Sequence, residues 1–315
     1  MKLAWLFPGQ GAQVVGMGRD VCEGSPAARA VFESADDALG EPLSQLCFEG
    51  PLETLTLTAN TQPAVLTASS AVLAALRERF GVLPEPICAA GHSLGEYSAL
   101  VAAGSLDLRA AVRVCRQRGR AMQEAVPAGE GAMSAIMGVD GTAVAEACAQ
   151  AGAATEVVGP ANFNAPMQTV IAGHAAAVAR ASVLARARGA KVIPLKVSAP
   201  FHCPLMASAR ERLAVALRDV EIRPPRFPVI ANVDAEAKPQ PDDIRQALVE
   251  QVDQPVQWLS TVKKMAAMGV THALELGPGR VLAGLVKRGA RGVRVLSVDS
   301  MGAIEKVPEF LELEP

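Results

Sequence analysis

Nothing restricts the fold of this chain more than nine residues, Ala89-Ala90-Gly91-His92-Ser93-Leu94-Gly95-Glu96-Tyr97. They contain Gly-x-Ser-x-Gly. An apolar run, Ile87 to Ala90, precedes it, and a helix-like run, Glu96 to Ala103, follows. That is the setting of a nucleophile elbow: a strand, a sharp turn carrying serine, then a helix. So tight a turn leaves no room for flanking side chains, which accounts for Gly91 and Gly95. Ser93 is pushed out of the sheet end. The amides that open the next helix point to where an oxyanion would form. A plain Gly/Ser turn would use the same residues, so the motif needs support from the rest of the chain.

That support is an alternation of strands and helices. Leu3 to Phe7 is a short apolar run ended by Pro8-Gly9 and reads as a buried first strand. The loop Pro8-Gly9-Gln10-Gly11-Ala12-Gln13 lies where ligands of α/β sheets bind. It lacks the Gly-Lys-Ser/Thr ending of a phosphate loop. Helical periodicity covers 26–39, 63–80 (begun by Pro63, stopped before Gly81) and 108–125. After Pro127-Ala128-Gly129 the texture changes. Strands at 132–138, 155–158, 167–172 and 191–197 enclose helices at 142–151 and 175–188, the ferredoxin-like split βαβ order. Beyond it come helix 205–218, a short strand 229–232, and helices 242–252 and 258–268. Strand 273–276 ends in Gly277-Pro278-Gly279, and helix 281–287 and strand 293–298 follow. The expected fold class is α/β: an α/β-hydrolase-like parallel-sheet large domain with an inserted ferredoxin-like small domain. The large domain takes residues 1–129 and 198–315, and the small one 130–197.

Composition narrows the function. A net charge of -2 over 315 residues argues against a nucleic-acid-binding surface. Six scattered cysteines (22, 47, 88, 115, 148 and 203) form no Cys-x-x-Cys pair and no metal spacing, and read as reduced thiols of a cytoplasmic protein. The run Leu3 to Phe7 is too short for a signal-peptide core, and no run approaches the ~20 apolar residues of a membrane span. A monomer is expected.

Four histidines are available as a base. His92 sits beside the nucleophile, and its side chain should diverge from Ser93. His174 and His272 stand at strand ends without nearby partners, which suits packing or surface roles. His202 lies in Ser198-Ala199-Pro200-Phe201-His202-Cys203-Pro204, a loop pinned by two prolines. It follows Ser93 in chain order, as the base does in α/β-hydrolases, and is the best candidate. A third group is less clear. Asp107, Glu124, Asp140 and Glu156 fall between Ser93 and His202, yet none ends a core strand of the large domain. The alternative is a backbone carbonyl or an amide; a carbonyl fixes an imidazole tautomer by accepting from Nδ1–H. Helix 108–125 is rich in arginine. Arg113, Arg116 and Arg120 follow i, i+3, i+7 on what should be a solvated row, while Arg118 lies off that row and points elsewhere.

The separate motifs then form one pattern. Phe7-Pro8-Gly9-Gln10-Gly11-Ala12-Gln13, Gly91 to Tyr97, Arg118-Gly119 with Met122-Gln123, Asn162-Phe163-Asn164, Phe201-His202 and Gly277-Pro278-Gly279 occur in a telling order. The chain resembles the malonyl-CoA:acyl-carrier-protein transacylases from its first strand to about residue 290. Ala12 departs from the serine common there. The resemblance implies Ser93 as nucleophile, His202 as base, and the backbone amides of Gln10 and Leu94 as oxyanion hole. It also implies that Arg118 pairs with the free carboxylate of malonate. The main-chain carbonyl of Gln251 would orient His202, and Phe201 would favour malonyl over methylmalonyl. Chemistry of that kind is ping-pong, through a malonyl-serine ester. It needs no metal and no bound cofactor. Malonyl-CoA is the substrate, and phosphopantetheine arrives on the partner, acyl carrier protein. The product would feed fatty acid synthesis.

Basic residues at Arg180, Arg186, Arg188 and Lys191, and at Arg280, Lys287, Arg288, Arg291 and Arg294, would suit an acidic carrier. Competing readings are a serine esterase or thioesterase on the same elbow, a discrete acyltransferase or acyl-clearing hydrolase of a polyketide synthase, and a carrier-binding module without catalysis. Arg118 counts against the hydrolases, and the intact Ser93 and His202 against the last.

Overall fold

A computed structural model of the chain describes residues 1–81, 83–195, 197 and 199–313. Lys196, expected in the 191–197 strand, and Ser198, expected in the His202 loop, lie outside the described residues.

The strands are β1 (Leu3–Phe7), β2 (Cys88–Gly91), β3 (Gly131–Met137), β4 (Val158–Ala165), β5 (Gln168–His174), β6 (Lys191–Pro194), β7 (Val229–Ile230), β8 (His272–Leu276) and β9 (Arg294–Val298). Five of them form a parallel sheet in the order β7-β2-β1-β8-β9. Both of its faces are buried, as a parallel sheet requires. Leu3, Trp5 and Phe7 of β1 join one core with the long helix Thr58–Phe80. Ala4 and Leu6 join the opposite core with Trp258, Val262 and Leu285. The alternation is the two-residue period of a strand.

The other four strands form an antiparallel sheet in the order β4-β5-β3-β6. Helices Gly141–Ala151 and Ala175–Ala187 cover it, packing Val144, Cys148, Val178 and Ala181 on Ile136 and Ile171. This is the ferredoxin-like arrangement, set beside the parallel sheet as expected.

Several elements differ from their sequence reading. The long helix starts at Thr58, and Pro63 sits inside it. Its first turn is closed by the Leu57 carbonyl, which accepts from the Asn60 and Thr61 amides, so the helix is already established before Pro63, which it accommodates at the cost of one amide donor. The strand expected at 155–158 is instead Val158–Ala165; Ala153 and Glu156 make only an isolated bridge. Asn162 and Asn164 hid this strand, whose register shifts twice against β5. β6 stops at Pro194, and β7 keeps only Val229 and Ile230. Among the described residues no helix is long and apolar enough to cross a membrane.

Candidate active site

The site lies at the C-terminal ends of β1, β2 and β7, where Gln10, Ser93 and Asn232 follow their strands. Close backbone approach forces its shape. A Cβ on Gly91 would stand 1.9 Å from the Gly95 backbone, and one on Gly95 would stand 2.2 Å from the Phe7 oxygen. A Cβ on Gly9 would meet the His92 oxygen at 2.4 Å, so the loop after β1 presses directly on the elbow and carries Gln10 with it. Ser93 itself has φ 52, the strained left-handed conformation that an elbow turn imposes on its central residue.

His202 approaches from the proline-pinned loop, also with positive φ (58). Its Nδ1 lies 2.7 Å from the Gln251 main-chain oxygen, which it can reach only as a donor. Nε2 is therefore the acceptor, and Ser93 Oγ donates to it at 2.8 Å. Burial, then the nearby Arg118 charge, lowers the His202 pKa to about 3. The ring is thus held neutral, with Nε2 free to accept. None of the four acids weighed for the third position serves it. Asp107 and Asp140 cap helices, while Glu124 and Glu156 pair with Arg212 and Arg180.

Arg118 comes from helix Leu108–Glu124, which begins at the Asp107 cap. Gly119 lets that helix close on its neighbour, since a Cβ there would stand 2.6 Å from the Thr58 oxygen. The contact buries Arg118 to 1% exposure. Its terminal nitrogens donate to Gln62 Oε1 at 2.6 Å, Gln251 Oε1 at 2.7 Å and Ser93 Oγ at 3.1 Å. Its Nε is buried without a partner, and no carboxylate among the described residues forms an ion pair with it. A buried guanidinium is costly without an anion; the Glu96 carboxyl acts on it only across the Gln251 amide, so its direct contacts are neutral oxygens and a ligand carboxylate would be favoured there. Arg116 departs from expectation. It is 7% exposed and pairs with Glu41 at 2.8 Å, because the segment around Glu41 covers that side of the helix.

These groups face a cleft of about 330 Å³. Gln10, Leu94 and Phe201 line it, with Met133, Asn162 and Leu195 from the antiparallel unit forming one wall. The Ser93 amide is taken by Asn232 Oδ1 at 2.7 Å, so it is not an oxyanion donor. His92 turns to Asn164 Oδ1 at 2.9 Å and packs at a tilt against Trp258, diverging from Ser93 as expected. The other two histidines do have partners, contrary to the sequence reading. His174 Nδ1 accepts from the Val157 amide at 2.9 Å, and His272 meets Thr271 and Arg294, which adjacent strand ends bring beside it. Among the described residues no three His, Cys, Asp or Glu side chains gather to hold a metal.

Sequence reasoning missed Gln62, Glu96 and Asn232. Only Asn232, a polar residue after the apolar run Val229-Ile230-Ala231, carries a local signal; Gln62 and Glu96 sit among other polar or small residues. Of the basic residues, Arg180 and Arg188 are engaged with Glu156 and Glu146, and Arg294 with Glu312.

Comparison with known proteins gives a consistent picture. Residues 4–309 match the acyl transferase domain family. The chain is 48% identical over 311 residues to the malonyl CoA-acyl carrier protein transacylase of Haemophilus influenzae, covering 98% of this chain and 99% of that protein. Its structure is similar to that of the malonyl CoA-acyl carrier protein transacylase of Coxiella burnetii, with a TM-score of 0.95, 42% identity, and 99% and 98% of the two chains covered. It is also similar to a malonyl-transacylase solved in complex with a type II polyketide synthase acyl-carrier protein, with a TM-score of 0.94, 44% identity, and 98% and 99% covered.

Proposed function

This chain belongs to the acyl transferase domain family, and from that premise we propose that it moves the malonyl group of malonyl-CoA to the phosphopantetheine thiol of acyl carrier protein. It is an acyltransferase, an acyl-carrier-protein S-malonyltransferase supplying extender units for fatty acid synthesis. The observation that carries this reading is the pair of contacts at one atom: Ser93 Oγ reaches His202 Nε2 at 2.8 Å and Arg118 at 3.1 Å. The base and a cation that waits for a carboxylate each stand within one hydrogen bond of the nucleophile.

In the first half-reaction Ser93 Oγ attacks the thioester carbonyl while His202 Nε2 takes its proton. The developing oxyanion lies against the amides of Gln10 and Leu94. The intermediate collapses, the C–S bond breaks, and His202 returns the proton to the departing coenzyme A. The malonyl ester remains on Ser93 with its carboxylate on Arg118. A planar guanidinium grips a carboxylate in paired hydrogen bonds, each contributing about 1.5–3 kcal/mol. In the second half-reaction the carrier thiol gives its proton to His202 and attacks the ester. The C–O bond breaks, and the proton passes back to Ser93. Phe201 stands beside the base as a wall against an α-methyl branch.

The segment 130–197 works as a separate small domain over Ser93, inserted into a catalytic domain of residues 1–129 and 198–315. The enzyme works in the cytoplasm as a monomer, without a bound cofactor; its six cysteines, all buried and free, suit that compartment. Rapid mixing with malonyl-CoA alone tests the reading. A burst of one coenzyme A per chain is expected, lost in Ser93→Ala. Release that is steady from the first turnover, or unchanged in that variant, removes the acyl-serine.

A further inference from the structure

Glu96 is a carboxylate directly beneath the nucleophile, and neither half-reaction gives it a task. It is 3% exposed, in the first turn of the elbow helix Gly95–Ala102. Its Oε2 accepts from the main-chain amide of Asn232 at 2.9 Å and from Gln251 Nε2 at 2.7 Å. Both partners hold the elbow. Asn232 accepts from the Ser93 amide and donates to the Gly91 oxygen, each at 2.7 Å. Gln251 donates its second N–H to the Ser93 oxygen at 3.1 Å.

The direction of the Gln251 amide is decided at Glu96. An ionised carboxylate only accepts, so Gln251 must turn its NH2 toward it. That leaves Oε1 for Arg118, at 2.7 Å. With the amide reversed, oxygen would face oxygen at Glu96, and NH2 would face the guanidinium. Burial pushes the Glu96 carboxyl up to about 7, and because Oε2 already accepts from the Asn232 amide, a proton on this carboxyl belongs on Oε1 and leaves Oε2 an acceptor. Gln62 grips the other terminal nitrogen of Arg118 at 2.6 Å, so two neutral oxygens fix the guanidinium while its Nε stays unpaired.

We infer that Glu96 is a positioning residue: through the Gln251 amide it holds Arg118 ready for the substrate carboxylate, and so sets the preference for carboxylated acyl groups over simple ones. The inference rests on the reading of Arg118 as the carboxylate clamp. It assigns Gln251 a second duty besides its main-chain contact with His202, and the two duties separate by substitution. Gln251→Met removes the side-chain bonds and keeps the carbonyl.

The test is kcat/KM for malonyl-CoA and for acetyl-CoA, each with holo acyl carrier protein, in Arg118→Ala, Gln251→Met, Glu96→Leu and Glu96→Gln. Acetyl transfer reports whether the dyad and the fold survive. Gln251→Met and Glu96→Leu should lower malonyl transfer about tenfold more than acetyl transfer, chiefly through KM, as for one lost charge-assisted bond. Glu96→Gln keeps an acceptor oxygen and should restore the malonyl preference. Equal losses for both acyl groups in Gln251→Met, or a Glu96→Gln enzyme as unselective as Glu96→Leu, would overturn the inference while leaving the clamp intact. A preference that survives Arg118→Ala would instead remove the clamp itself, and the inference with it.

Discussion

His202 Nδ1 lies 2.7 Å from the main-chain oxygen of Gln251, a neutral acceptor where a serine hydrolase of this chain order sets a carboxylate. The oxygen fixes the tautomer without adding charge. Burial and Arg118 then lower the His202 pKa from 6.5 to about 3. The sign is clear: a lowered histidine pKa keeps the folded ring neutral, and the stability this lends is lost as pH falls from 6.5 toward the folded value. The burst rate of Ser93 acylation should therefore be flat from about pH 5 to about pH 8. Stopped-flow measurement of coenzyme A release in the wild type and in Glu96→Gln checks this, and an ionisation near the ordinary histidine value that persists in Glu96→Gln, where the Glu96 carboxyl raised to about 7 is gone, would contradict it.

Arg118 has terminal contacts only to neutral oxygens and no acidic partner among the described residues. Arg118→Ala should lower malonyl loading by about 10² to 10⁴, the worth of one or two charged hydrogen bonds, and acetyl loading far less. Loading rates with the two thioesters decide the point; an equal loss would remove the carboxylate clamp.

Phe201 is 8% exposed and lines the cleft next to the base. Phe201→Ala should raise methylmalonyl transfer relative to malonyl by about tenfold, within what one methyl is worth in a pocket. Competition between the two thioesters, read by mass on the carrier, gives the ratio. An unchanged ratio would place the steric wall elsewhere.

Gly91 has no space for a Cβ, which would stand 1.9 Å from the Gly95 backbone, whereas nothing lies within 4 Å of one on Gly302. Gly91→Ala should abolish loading and lower the denaturation midpoint sharply. Gly302→Ala, in a short helix, should be neutral or stabilise by about 0.4–1 kcal/mol. Denaturant titration of both tests the elbow as a packing constraint; comparable small effects would contradict it.

Much of this was legible because local chemistry dictated it. The apolar run into Gly91, the glycines around Ser93 and the prolines around His202 mark their turns within a few residues. What escaped was set across the chain. β4 eludes the sequence because Asn162 and Asn164 have the composition of a loop, yet Asn162 itself pairs with Val170 of β5 between two register shifts. Arg116 looked solvated because helical spacing says nothing of the segment at Glu41 that covers it. Glu96 meets Gln251 over a separation of 155 residues, beyond the reach of any periodicity. The Gln251 oxygen had no local signature, since every residue has a carbonyl; only the resemblance pointed to it.

The account stands on an acyl group resting on Ser93 between two thiols. Intact-protein mass after mixing with malonyl-CoA, then with holo acyl carrier protein, tests that most directly. A malonyl adduct should form on the wild-type chain and not on Ser93→Ala, and should pass to the carrier in the second step. An adduct on Ser93→Ala, or one that decays to free malonate while the carrier stays unloaded, would contradict the account.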